Sequence, residues 1–429
     1  MQLLRRHDFA MIWLAGLLAY LGNSMLFVAL PVWVYLEYDS ATLVSITALM
    51  SIIPSVVLGS VAGIFVDRWD RTRVMLIGTL ARMGLLLVLA FAAQAEWLWL
   101  ILAVRLGTSS AMQFFGPAEQ SLLPKLVESE AELVQANSLN QLNDNLGVIV
   151  GAGLGGVMLA WVGLEGIALV MAALTAIGAL LLSRIRYQDH RAVIASSDPA
   201  TSFSLSRSAR NLAEEWRDGM AIFARNPSVR ALFIIFGVAS VTNVSFTTLL
   251  SVFALETLDL SEAEVGLLFM AGSAGGMIGA ILLGFVPSTL PARRILQGSL
   301  LAMAVVDVIF YGYPLFTGGV LAVSMAIRFL GGFPNAGVNA SGMTVFQTSV
   351  PDHLLGRAFG ALGSMSAAVM LVATPIAGVL ADIFSAQAVL LGITLFVFAS
   401  WVLSLRLTEH VTDTEPARDP EPRPEARGA

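Results

Sequence analysis

Apolar residues run along this chain in long blocks, not in alternation. Each block is close to the roughly 20 residues that carry a helix across the hydrocarbon core of a bilayer. Twelve blocks are legible, at approximately 10–36, 41–66, 73–93, 96–117, 137–161, 165–184, 229–256, 263–286, 293–313, 317–348, 355–381 and 386–406. The pattern predicts an all-α membrane protein of twelve transmembrane helices. Polar residues gather in the first seven positions, in 185–228 and from Glu409 onward. The chain therefore divides into an N-terminal six-helix half (1–184), a cytoplasmic linker (185–228), a C-terminal six-helix half (229–408) and a tail (409–429). The tail, EPARDPEPRPEARGA at its end, has nothing to bury and is expected to be disordered. In the linker, Leu212, Trp216, Met220 and Phe223 recur at helical spacing among charged residues. That fits an amphipathic helix on the membrane surface or a solvated linker helix. The opening MQLLRRHDFAMIWLAGLLAY has the basic start of a signal peptide, but its apolar run continues through Trp33. It is read as an uncleaved first span.

Charge orients these spans. With the N-terminus in the cytoplasm, 21 of the 24 basic residues fall in cytoplasmic segments and none in an outer loop. The outer loops hold Glu37, Asp39, Glu96, Glu165, Glu256, Asp259, Glu262 and Glu264. This asymmetry predicts both termini in the cytoplasm. Composition agrees: 57% of residues are hydrophobic, only 13% are charged, and the mean hydropathy is +0.79. A soluble domain carries about 25% charged residues, so solubility is excluded. There is no Cys and only four scattered His, which leaves no thiol nucleophile, disulfide framework or expected metal site. No cofactor is expected. The net charge of −6, with no basic patch, excludes nucleic acid as a partner. The sole lysine, Lys125, follows Pro124, so no phosphate-binding loop and no ATP-driven pump are present. Clustered catalytic side chains are also missing, which argues against an enzyme. The Arg, Ala and Gly bias suggests a GC-rich bacterium and hence a bacterial cytoplasmic (inner) membrane.

The two halves echo each other at an offset near 222: Asn23 with Asn243, Arg105 with Arg328, and the glycines at Gly155 and Gly156 with Gly378. Such repeats suit a transporter whose substrate site lies at mid-membrane between them. A non-transporting sensor could keep the same fold. The sharpest local motif is Gly63-Ile-Phe-Val-Asp67-Arg68-Trp69-Asp70-Arg71-Thr72-Arg73, at the turn between spans 2 and 3. Anchoring alone needs only the bases. Asp67 adds an acceptor that a helix N-terminus favours, and Gly63 permits close helix approach. Charges inside spans are rarer still: Arg82, Arg105, Asp144, Asp307 and Arg328. Each is expected to be paired or functional. Desolvation favours a neutral acid, so a buried Asp307 could carry a proton. The stronger expectation is an ion pair between Asp307 and Arg328, on neighbouring spans.

The loop from Gly63 to Arg73 resembles the signature of the major facilitator superfamily, and DRWDRTRVM resembles its macrolide-efflux and siderophore-exporter-like branch. Residues 117–156 look like the same branch, with Gly151-Ala-Gly-Leu-Gly155-Gly156 where a Gly-Pro-x-x-Gly-Gly is usual. Ala152 replaces the Pro associated with antiporters. Gly151, Gly155 and Gly156 also read directly as helix-packing residues. The resemblance implies that spans 1, 4, 7 and 10 line a cavity. Its lining would include Asn23, Gln113, Phe114, Asn243, Phe246, Phe333, Asn335 and Asn339. Amides among aromatics suit a bulky, largely apolar small molecule. The expected function is secondary active export of such compounds by a monomer in the lipid bilayer, driven by protons. The alternative is a facilitator or importer of a nutrient.

Overall fold

The computed structural model describes residues 3–187, 227–287, 289–350 and 354–407; the side chains of Asp67 and Arg68 fall outside the described set. The amphipathic linker segment and the tail also lie outside it. Eleven described helices are long and apolar enough to cross a membrane. They are α1 (His7–Tyr38), α2 (Ala41–Arg68), α3 (Arg71–Gln94), α4 (Leu98–Leu122), the long stretch Glu130–Ser183, and then the second half. The long stretch breaks at Gly163, where φ is 67° and ψ −179°, into α5 (130–162) and α6 (164–183). A positive φ is available to glycine without strain, so this residue turns one apolar block into two spans. The second half follows as α7 (Pro227–Glu256), α8 (Glu262–Leu283), α9 (Ala292–Gly312), α10 (Leu321–Ser349), α11 (Leu355–Phe384) and α12 (Ala386–Leu407). With the break counted, twelve spans result.

Boundaries move where caps act. Helix α5 begins at Glu130, well before its apolar block, because Ser129 accepts from the Glu132 amide. Asp70 caps α3 by accepting from the Arg73 amide at 2.9 Å. Helix α10 starts later than expected, since Pro314–Thr317 forms one separate turn that ends at Gly318 with φ 70°.

Within the first half, α1 and α3 pack on the α5–α6 stretch and α4 packs on α2 and α3. Within the second, α10 packs on α8 and α9, and α7 on α11 and α12. Two junctions, α5–α8 and α2–α11, carry most of the contact between halves. They occupy corresponding places in the two repeats. One end of the bundle bears the acidic turns and the other the arginines, and these serve here as the names of the ends.

The junctions close at the acidic end. A Cβ on Gly156 would stand 2.7 Å from the Gly266 nitrogen and 2.8 Å from its Cα. Small residues thus let α5 and α8 touch backbone to backbone. On the other junction, Gly378 of α11 presses on Ser45 and the Ala41 carbonyl of α2. Asp382 accepts from the Ala41 amide at 2.6 Å, the Thr42 amide at 3.0 Å and Ser40 Oγ at 3.1 Å. A carboxylate from one half therefore caps a helix of the other, where the helix dipole favours an anion. Farther along the α2–α11 pair, toward the arginine-rich end, lie two more glycines. Gly63 lies 18 residues, about five turns, beyond Ser45, and Gly360 lies 18 residues before Gly378. Among the described residues nothing comes within 4 Å of a Cβ on Gly63 or Gly360. Among the described residues, then, the close approach expected at Gly63 is not seen.

Candidate functional site

A cavity of about 430 Å³ opens within the second half. Its walls come from α7 through α12, from Ile235 to Phe246 on α7 and from Arg328 to Asn339 on α10. Asn243, Asn335 and Asn339 present amides to it, and Phe246 and Phe269 supply aromatic faces. Asn339 Nδ2 donates to Asn335 Oδ1 at 2.8 Å, so these two amides hold each other one turn apart. Asp307 and Arg328 line the same cavity. The Arg328 guanidinium carbon stands 4.1 Å over the Phe246 ring and 5.4 Å from that of Phe310. The expected ion pair with Asp307 is not closed: the two side chains interact electrostatically, but they do not meet in a salt bridge. Stacking on the ring takes the guanidinium instead, which suits its planar, weakly hydrated face. Phe269 also meets Phe27 of α1 edge-on at 6.2 Å, so aromatics bridge the halves on the acidic side of the cavity.

The rest of the expected lining lies outside this cavity. Asn23, Gln113 and Phe114 do not line this cavity. Phe114 packs against the cluster of Ile12, Val74 and Phe115 inside the first half. Phe333 stacks on Phe329 at 5.5 Å between ring centres, where α10 meets α8. This cavity is therefore lined by the second repeat alone.

The first half holds its charges differently. Arg105 is buried and donates from Nε to Ser51 Oγ on α2 at 2.7 Å. Arg82, also buried, donates to the Ala19 carbonyl and Met112 Sδ, both at 3.1 Å. A crevice of only about 20 Å³ lies beside it, room for a water at most. One titratable group here escaped the sequence reading. Glu119 of α4 is fully buried and accepts from the Tyr20 hydroxyl at 2.9 Å. It follows Pro117 and Ala118 one turn before the end of α4, just past the apolar block, yet it is buried. That position was its only signal. Asp144 is half-buried on α5, in electrostatic reach of Glu119.

In the signature loop, Arg71 Nε donates to Ser121 Oγ at 3.1 Å and Arg73 is exposed. Among the glycines of α5, Gly151 and Gly155 lie against α1, where a Cβ would stand 2.5 Å and 2.6 Å from the Leu21 and Met25 carbonyls. Gly156 lies against α8.

The family model for the Major Facilitator Superfamily matches residues 12–323 and 232–428. Among known relatives, the multidrug efflux pump Tap of Mycolicibacterium fortuitum is 28% identical over 403 residues, covering 91% of this chain and 93% of that protein. Macrolide efflux protein A of Streptococcus pyogenes is 22% identical over 385 residues, covering 88% and 89%. A solved structure, a bacterial homologue of the iron transporter ferroportin in an inward-facing state, superposes with a TM-score of 0.73 at 15% identity. It covers 94% of this chain and 98% of that one, a likeness of fold. By the match of both halves and the twelve-span bundle, this chain belongs to the Major Facilitator Superfamily and is a multi-pass membrane transporter.

Proposed function

We propose that the chain is a proton-coupled exporter of bulky, largely apolar small molecules, acting as a monomer by alternating access in a bacterial cytoplasmic membrane. The observation that carries this reading is the lining of the cavity, in which Phe246 and Phe269 face amides, Asp307 and Arg328. A few polar groups on an aromatic wall fit a large ligand with scattered hydrogen-bonding atoms, and a sugar would need more of them. The efflux pumps among its relatives support the direction of transport. The arginine-rich end is assigned to the cytoplasm, since cytoplasmic loops collect Lys and Arg. Both termini then lie inside, and the acidic end, where the junctions close, faces outward. Asp67 serves as an acceptor at the arginine-rich end when it closes, and Asp67→Ala should lower transport at unchanged abundance.

The test is ethidium uptake into inverted membrane vesicles carrying an imposed pH gradient, acid inside. Uptake above vector controls that a protonophore abolishes is the expected result. No uptake of ethidium, macrolides or other lipophilic dyes, with a nutrient entering intact cells down its gradient, would establish the facilitator instead.

A further inference from the structure

The first half encloses a group of polar atoms that the substrate cavity does not use. Glu119 lies one turn inside the arginine-rich end of α4, with no solvent exposure. Gly16 of α1 leaves room for it: a Cβ there would stand 2.6 Å from Glu119 Oε1 and 3.1 Å from Asn143 Nδ2. Helix α1 also brings Tyr20, whose hydroxyl donates to Glu119 Oε2 at 2.9 Å. From α5 come Asn140, which reaches the carboxylate, and Asp144, which interacts with it electrostatically. Asn143 is fully buried alongside, with Nδ2 committed to the Trp13 carbonyl at 2.8 Å. Three oxygens of this group are buried with no hydrogen-bond partner: Glu119 Oε1, Asn143 Oδ1 and Asp144 Oδ1.

All three are acceptors, and the surrounding charges are engaged elsewhere. Arg82 of α3 donates to the Ala19 carbonyl and to Met112. Arg71 of α3 donates to Ser121, further along α4. Arg105 of α4 donates to Ser51. Arg6, ahead of α1, pairs with Glu128 and Glu132. Two ionised carboxylates here would repel each other and leave buried acceptors without a donor, which is unfavourable on both counts. A single hydrogen on one carboxyl turns an acceptor into a donor and removes one charge.

We infer that Glu119 and Asp144 form a proton-binding site that holds one exchangeable proton between them, in the half of the molecule that does not hold the substrate. Exposure is graded along the pair. Glu119 is sealed and Asp144 is half-buried, so the proton enters and leaves by way of Asp144. The halves then divide the labour: a proton bound among α1, α4 and α5 and a substrate bound among α7 to α12 compete through the rocking of one half against the other. This inference rests on the export reading, because an uncoupled facilitator has no use for the site.

Two measurements separate the inference from that reading. The first needs no substrate: infrared titration of the full-length protein, following the carbonyl stretch of protonated carboxylic acids. The wild type should show a titrating acid band, Glu119→Gln should remove it, and Asp144→Asn should change its midpoint. Asp307→Asn should leave it in place. A band untouched by both Glu119→Gln and Asp144→Asn overturns the site. The second uses ethidium in proteoliposomes. Glu119→Gln should abolish accumulation driven by a pH gradient while ethidium exchange without a gradient continues at the wild-type rate. Loss of both would mean a structural role, and retention of both, or drive by a sodium gradient, would equally overturn the inference. If the wild type moves no ethidium at all, the export reading fails for that probe while the infrared titration still decides the proton site.

Discussion

At the residue scale, the fold depends on side chains that are missing as much as on those present. Gly156 lies so close to the Gly266 backbone that Gly156→Ala has no flexible neighbour to displace. Overpacking of this kind costs about 1–3 kcal/mol. The variant should melt at lower temperature in detergent and should populate states open at the acidic end. Arg328 makes a second case. Arg328→Lys keeps the charge but loses the planar contact over Phe246, 4.1 Å away. A loss of about 0.5–2 kcal/mol is expected, read as a lower melting temperature. Phe246→Leu should lose as much, and the double variant little more, since both remove one contact. These residues differ in how legible they were. Intramembrane arginines stand out in any apolar run, so Arg82, Arg105 and Arg328 were visible. What Arg328 rests on was not, because Phe246 comes from another helix. Glu119 was overlooked because it sits near a helix end, where an acid reads as a boundary.

At the scale of elements, caps decide where helices start and how they meet. Asp70, within the turn between α2 and α3, caps α3 through the Arg73 amide. Asp70→Ala should therefore lower thermal stability by about 1 kcal/mol, with transport nearly unchanged. A loss of transport at full stability would assign Asp70 to the gate. Asp382 is the cross-half counterpart. Its carboxylate receives two amides and a hydroxyl at the start of α2. Asp382→Ala should destabilise closure of the acidic end by about 1 kcal/mol, a shift of about fivefold in the populations of the two states. Spin-label distances across that end would measure it, and unchanged populations would reduce Asp382 to an ordinary cap. The elements themselves were legible from apolar length, including the two blocks that Gly163 separates. Their meeting points were not, since periodicity is silent on which face of an all-round apolar helix finds a partner.

For the whole molecule, alternating access as proposed requires the two six-helix halves to rock about junctions whose two ends are not closed together. The repeat of the halves was readable in the chain, and so was their arginine asymmetry. The placement of the cavity within the second half was not, because the repeat relates backbones while Arg105 and Arg328 acquire different neighbours. Register now links the two ends of the α2–α11 junction. Ser45 meets Gly378 at the acidic end, and Gly63 and Gly360 lie the same 18 residues farther along their helices. That register predicts that these two glycines come together if the arginine-rich end closes. The chain has no native Cys, so paired cysteines report without background. The most direct test compares disulfide formation in Ser45→Cys/Gly378→Cys and Gly63→Cys/Gly360→Cys proteins in inverted vesicles, before and after a pH gradient and ethidium are applied. At rest the first pair should cross-link and the second should not; during transport the second should gain at the expense of the first, and locking either should stop ethidium uptake until reduction restores it. Yields that do not move with the gradient, or a locked protein that still transports, would contradict the account.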